Sequence, residues 1–116
     1  MEDLLTVETQ RAGNVGIITA TGEVDMTTAR IFRDAVREVM REDAVHLILD
    51  VRKVDYMDST GMSVIMTARK LTSEAHGKVY LITRPGEAAR ALELVKTHHL
   101  VEMADTPEEA LQALGA

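Results

Sequence analysis

A chain of 116 residues, 46% hydrophobic and without cysteine, suffices for one domain over residues 1–116, is too short for two, and can form neither disulfides nor thiolate metal sites. Its net charge of -6 and pI near 5.1 argue against nucleic acid or an anionic membrane as the main partner and favour a protein with a basic face. Only Phe32, Tyr56 and Tyr80 are aromatic, no apolar run approaches the roughly 20 residues of a membrane span, and no opening segment has the form of a leader, so a cytoplasmic protein without a flat cofactor is expected.

Leu4 to Glu8 alternates weakly and meets Arg11-Ala12-Gly13-Asn14, so it reads as a strand turning back into the β-branched run Val15 to Thr21 as a hairpin. Gly22-Glu23-Val24-Asp25 should break the second strand. From Thr27 the period becomes helical: Ile31, Phe32, Ala35, Val36, Val39 and Met40 predict an amphipathic helix to about Glu42. Val45 to Val51 is nearly continuous in apolar residues, as expected for a central strand covered on both faces. A loop over Arg52 to Met57 and a helix to about His76 follow, with Gly77 as its expected left-handed stop. Lys78 to Thr83 reads as a strand, Pro85 and Gly86 as the start of a helix through Val95, and Val101 to Met103 as a short strand. Thr106-Pro107-Glu108-Glu109 places a hydroxyl cap, a first-turn proline and a glutamate three residues after the cap, which predicts a last helix to about Leu114. Strands alternating with helices imply an α/β fold: a mostly parallel sheet of four to five strands with right-handed crossovers, an antiparallel N-terminal edge strand and about four helices.

In this layout the loops Gly22 to Thr28 and Tyr56 to Met62 lie at one edge of the sheet, where α/β proteins commonly place function. Asp58 is suited to cap the second helix, with Ser59 in its first exposed turn. A cap accounts for Asp58 but not for Ser59 and Thr60 followed by Gly61, because glycine in a first turn costs up to about 1 kcal/mol relative to alanine. Gly61 suggests that something approaches the backbone closely. As a nucleophile Ser59 lacks a partner: the pattern is not Gly-x-Ser-x-Gly, His46 falls in a strand, His76 at a helix end, and His98-His99 far along the chain. The histidine pair has no Asp or Cys at ligand spacing, and the isolated Gly22 and Gly61 have no following lysine, so neither a metal site nor a phosphate loop is expected. Asp25, Asp50 and Asp58 could gather like a magnesium-dependent phospho-acceptor site, but the acidic pair should then follow the first strand. The residues by themselves lead to a small acidic α/β domain with an exposed hydroxyl at a helix start and no cofactor.

Three segments carry a resemblance. Gly22–Asp25 (GEVD), Leu47–Ile65 (LILDVRKVDYMDSTGMSVI) and Thr106–Leu111 (TPEEAL) together resemble, in order and spacing over almost the whole chain, the STAS domain of bacterial anti-sigma factor antagonists. Asp58-Ser59-Thr60-Gly61 is the most specific part. The resemblance implies a STAS fold and a binding protein rather than an enzyme. Such an antagonist holds an anti-sigma factor that is also a serine kinase, thereby frees a sigma factor, and is switched off by phosphorylation of the serine after the aspartate. Carried over, the phosphoacceptor is Ser59, and Asp25, Asp58, Thr60, Gly61 and Met62 form the partner-binding site. A phosphatase acting on phosphorylated Ser59 is a second implied partner, and a monomer is expected. The chain departs from the family pattern at Gly61-Met62-Ser63, where Gly-Leu-Gly is usual, and at Thr97-His98-His99-Leu100, where Thr-Gly-Leu is usual. The alternative is a STAS-type scaffold, or a small-ligand or lipid-binding module with a methionine-lined cavity.

Overall fold

The computed structural model of the protein describes residues 4–84 and 101–116. Their elements are β1 (Leu5–Ala12), β2 (Val15–Val24), α1 (Ala29–Arg41), β3 (His46–Met57), α2 (Ser59–Glu74), β4 (Val79–Ile82), β5 (Glu102–Ala104) and α3 (Pro107–Ala113). The helix expected to open at Pro85 and Gly86 and run through Val95, and the His98-His99 pair, lie outside the described residues. The strands form one sheet in the order β1-β2-β3-β4-β5, with β1 antiparallel to β2 and the remaining neighbours parallel. The expected α/β architecture with an antiparallel N-terminal edge is therefore observed.

The continuous apolar run of β3 divides between two faces. Leu47 and Leu49 join Phe32, Val36, Val64 and Ile65 in the larger core under α1 and α2, whereas Ile48 packs with Val15, Ile17, Ile82 and Ala110 beneath α3. Residues one apart on a strand point to opposite faces, so a doubly covered strand must be apolar at every position. On α1 the buried residues are Ala29, Phe32, Ala35, Val36 and Val39. Ile31, assigned to that face by its spacing, is instead 39% exposed, because it lies at the rim of the apolar arc and turns toward β1.

Two expectations about breaks are corrected. β2 continues through Gly22 to Val24, and β3 continues through the expected loop to Met57, keeping Val24 and Met57 in register. The pairing shifts between Thr19 and Thr21, which oppose Asp50 and Lys53, and again between Gly22 and Glu23, which oppose Val54 and Tyr56. Each shift is a bulge that places one extra residue in β3, and an extra residue reverses which face the following side chains take. Val51, Val54 and Met57 consequently all meet the larger core although they are spaced three apart.

A third correction concerns the end of α2. His76, not Gly77, takes the left-handed conformation, with φ of 61°. The Gly77 N–H donates to the Thr72 carbonyl at 2.7 Å and the His76 N–H to the Ser73 carbonyl at 3.0 Å, the paired bonds of a Schellman stop. Gly77 is required for a different reason: a Cβ there would collide with the Val45 carbonyl oxygen.

Candidate functional site

The register of Val24 with Met57 brings the two singled-out loops together at the carboxyl ends of the parallel strands. The Asp58 N–H donates to the Val24 carbonyl at 3.1 Å and ties the loops directly. Each loop is then folded by its own aspartate. After β2, Asp25 Oδ1 accepts from the Thr27 N–H at 2.8 Å, the Thr27 hydroxyl at 2.7 Å and the Thr28 N–H at 3.1 Å. The Thr28 hydroxyl donates to the Glu23 carbonyl at 2.7 Å and accepts from the Asp25 N–H at 2.9 Å. These bonds stabilise the ionised carboxylate, the Thr27 hydroxyl most of all, and hold the Asp25 pKa below its ordinary value.

After β3, Asp58 has an extended backbone and caps α2: its Oδ1 accepts from the Thr60 N–H at 2.9 Å and from the Thr60 hydroxyl. The cap thus uses Asp58 and Thr60, both half-buried, and leaves Ser59 exposed at the first helical position. Gly61, expected to be approached by a partner, is approached from within the chain, by Met57 and Val24. Gly61 is buried, and a Cβ on it would overlap Met57 Cγ, fall 2.9 Å from Met57 Sδ and press Val24 Cγ1 at 3.1 Å. Met62 is half-buried against the larger core.

Two exposed apolar side chains that the sequence reading did not single out border this constellation: Met26, 81% exposed beside Asp25, and Tyr56, 53% exposed beside Met57. Met26 belongs to no amphipathic period, and Tyr56 is one of only three aromatics; those were the available signals. Asp55 adds a further carboxylate, paired with Arg84 at 3.4 Å across the same sheet edge. Asp50 does not join an acidic cluster. It is buried and held by Arg52 through two contacts of 2.8 and 3.0 Å, and this pairing raises the guanidinium pKa. Among the described residues no three His, Asp or Glu side chains are placed to hold a metal ion, and no helix is long and apolar enough to cross a membrane. The arrangement presents the exposed Ser59, flanked by carboxylates and two apolar side chains, at the start of α2.

Residues 6–110 match the STAS domain family. The anti-sigma-F factor antagonist RsfB of Mycobacterium tuberculosis is 25% identical over 112 residues, covering 94% of this chain and 88% of its own length. An anti-sigma factor antagonist from Mycobacterium paratuberculosis has a similar crystal structure, with a TM-score of 0.85 at 20% identity over 97% of this chain and 95% of that one. The Bacillus cell fate determinant SpoIIAA, solved in its phosphorylated form, superposes with a TM-score of 0.72 at 18% identity over 93% of this chain and 98% of that one. At these identities the two structures bear on the fold.

Proposed function

The chain belongs to the STAS domain family, and from that membership we propose that it is an anti-sigma factor antagonist of the cytoplasm. In its unphosphorylated form it binds an anti-sigma factor with serine kinase activity and releases a sigma factor; phosphorylation of Ser59 ends the binding. The relatives named as antagonists support the first part of this reading. The observation that carries the second is local: Asp58 and Thr60 close the helix cap between themselves, which leaves the Ser59 hydroxyl exposed and outside the cap.

In the transfer, the Ser59 oxygen forms a bond to the γ-phosphorus of ATP as the bond to ADP breaks, and the hydroxyl proton passes to a base of the kinase. The product carries about -1.5 to -2 charges at the first position of α2. A helix N-terminus favours an anion by about 0.3–1 kcal/mol, so α2 has no reason to melt. The added charge instead stands among Asp58, Asp25 and whatever the partner presents, and repulsion with steric exclusion at the interface is the economical switch. Asp25 and Asp58 shape the partner-binding surface by folding their loops, while Thr60, Gly61 and Met62 hold the helix start in place. A phosphatase would restore the binding form. Of the seven methionines that could have lined a ligand cavity, Met40, Met57, Met62, Met66 and Met103 pack against the buried core, which favours the antagonist over the small-ligand reading.

The test is phosphorylation by the cognate anti-sigma kinase with ATP, followed by intact mass, peptide mapping and titration calorimetry. Ser59 should carry the only label, Ser59→Ala should bind the kinase and resist switching, and the phosphorylated protein should bind weakly. Undiminished labelling of Ser59→Ala, on Thr60 or Ser63, would overturn the assignment.

A further inference from the structure

Along the β1 edge of the sheet, a groove of about 490 Å³ runs between β1 and α1. We propose that this groove takes an extended, basic peptide segment of a partner protein, which adds to the free edge of β1 as a further strand.

The backbone of β1 is arranged for this. Leu5 opposes Gly22, so Leu4 opposes Glu23, and the Glu23 N–H donates to the Leu4 carbonyl at 2.8 Å. In an antiparallel pair hydrogen-bonded and non-hydrogen-bonded positions alternate, so Thr6, Glu8 and Gln10 bond to β2 while Val7 and Thr9 direct their N–H and C=O groups away from it. β1 is an edge strand of the sheet and pairs only with β2 among the described residues. An exposed edge of this kind is a template for strand addition.

The side chains above that edge select the occupant. Val7, Ile31, Ala35 and Val39 supply apolar lining, which accounts for the exposure of Ile31. Asp34 and Glu38 of α1 and Glu42 at its C-cap follow one another every fourth residue, about 6 Å apart along the axis. Every second side chain of an extended peptide is about 6.6 Å from the last, so a basic residue at alternate positions meets each carboxylate in turn. The ion pairs among the described residues, Asp50 with Arg52 and Asp55 with Arg84, leave these three carboxylates without a cation. Arg30 lines the groove beside the start of α1, and the Arg11 guanidinium donates to the Glu42 carbonyl at 2.8 Å beside its end, which bounds the acidic stretch. A second copy of this chain is the poorer occupant, because it would set three carboxylates and a single guanidinium, Arg30, against the same net negative lining.

The probe is the capped peptide VTKTKTKT, whose alternate residues offer one valine to Ile31 and three lysines to the carboxylates, titrated into the ¹⁵N-labelled full chain. Saturable shifts at Val7, Thr9 and Ile31 are expected, with slowed exchange of the Val7 and Thr9 amides. Glu38→Lys, at an exposed position, should weaken binding about tenfold. Of two peptides N-methylated at alternate amides, one should lose binding and the other keep it. Ser59→Ala should leave all of this unchanged, so the groove and the phosphorylation site stand or fall separately. Absence of saturable binding, equal binding by both methylated peptides, or a β1-to-β1 dimer in sedimentation would overturn the proposal.

Discussion

Substituting Gly61 separates a glycine kept for the fold from one kept for a partner. In a helix interior, Gly→Ala ordinarily stabilises by about 0.5–1 kcal/mol, because alanine has fewer unfolded conformations to lose. Here the added Cβ overlaps Met57 Cγ and lies 3.1 Å from Val24 Cγ1, on the two strands that position the site. Inserting a methyl into such packing costs about 1–3 kcal/mol, so the net expectation is a loss of about 1 kcal/mol with an upper end of about 2.5. With about 2.1 cal/mol/K of unfolding entropy per residue, 116 residues convert 1 kcal/mol into about 4 °C of melting temperature. The assay is thermal and urea unfolding of Gly61→Ala alone and combined with Met57→Ala. In the Met57→Ala background the space is vacated and the same substitution should become neutral or stabilising, giving a coupling above about 0.5 kcal/mol. A Gly61→Ala protein more stable than wild type, or strictly additive variants, would refute the packing account and return Gly61 to the partner interface.

Three further outcomes follow from the same geometry. Asp58→Ala removes the acceptor of the Thr60 N–H and should lower stability by about 0.5–2 kcal/mol in urea melts, whereas Ser59→Ala, outside the cap, should stay within about 0.5 kcal/mol of wild type. Asp25 has a folded pKa below the ordinary 3.8, so its carboxylate contributes stability that is full above that value and is lost as pH falls through the lowered one. Melting temperatures of wild type and Asp25→Asn should therefore differ by a constant amount at neutral pH and converge in acid below 3.8; a difference independent of pH throughout would disprove the charge-assisted contacts. Gly77→Ala would push a methyl onto the Val45 carbonyl oxygen and should cost more than Gly61→Ala, because a backbone atom yields less readily than a methionine side chain.

What could be known before folding was whatever neighbouring residues decide among themselves. Thr106-Pro107-Glu108-Glu109 announced its helix because the cap is made within four residues, and the Thr106 hydroxyl indeed accepts from the Glu109 N–H at 3.1 Å. The hairpin, the apolar stripe of α1 and the doubly covered strand around Ile48 were legible for the same reason, since each rests on a period or a turn. Asp58 as a cap and Ser59 as the exposed residue beside it also followed from local chemistry. The second half of β3 did not. Val51, Val54 and Met57, three residues apart, violate the alternation of a strand, and only pairing with β2 through two bulges returns all of them to the core. Whether Gly77 was there for its own torsion or for the nearness of Val45, and whether Gly61 faced a partner or Met57, were likewise decided by segments distant in sequence. Ile31 had the spacing of a core residue and lies on the rim, because the angular width of a helix's buried face is set by the neighbours that cover it. The outer edge of β1, and the groove above it, arise only when strand order leaves one side of a hairpin unpaired among the described residues.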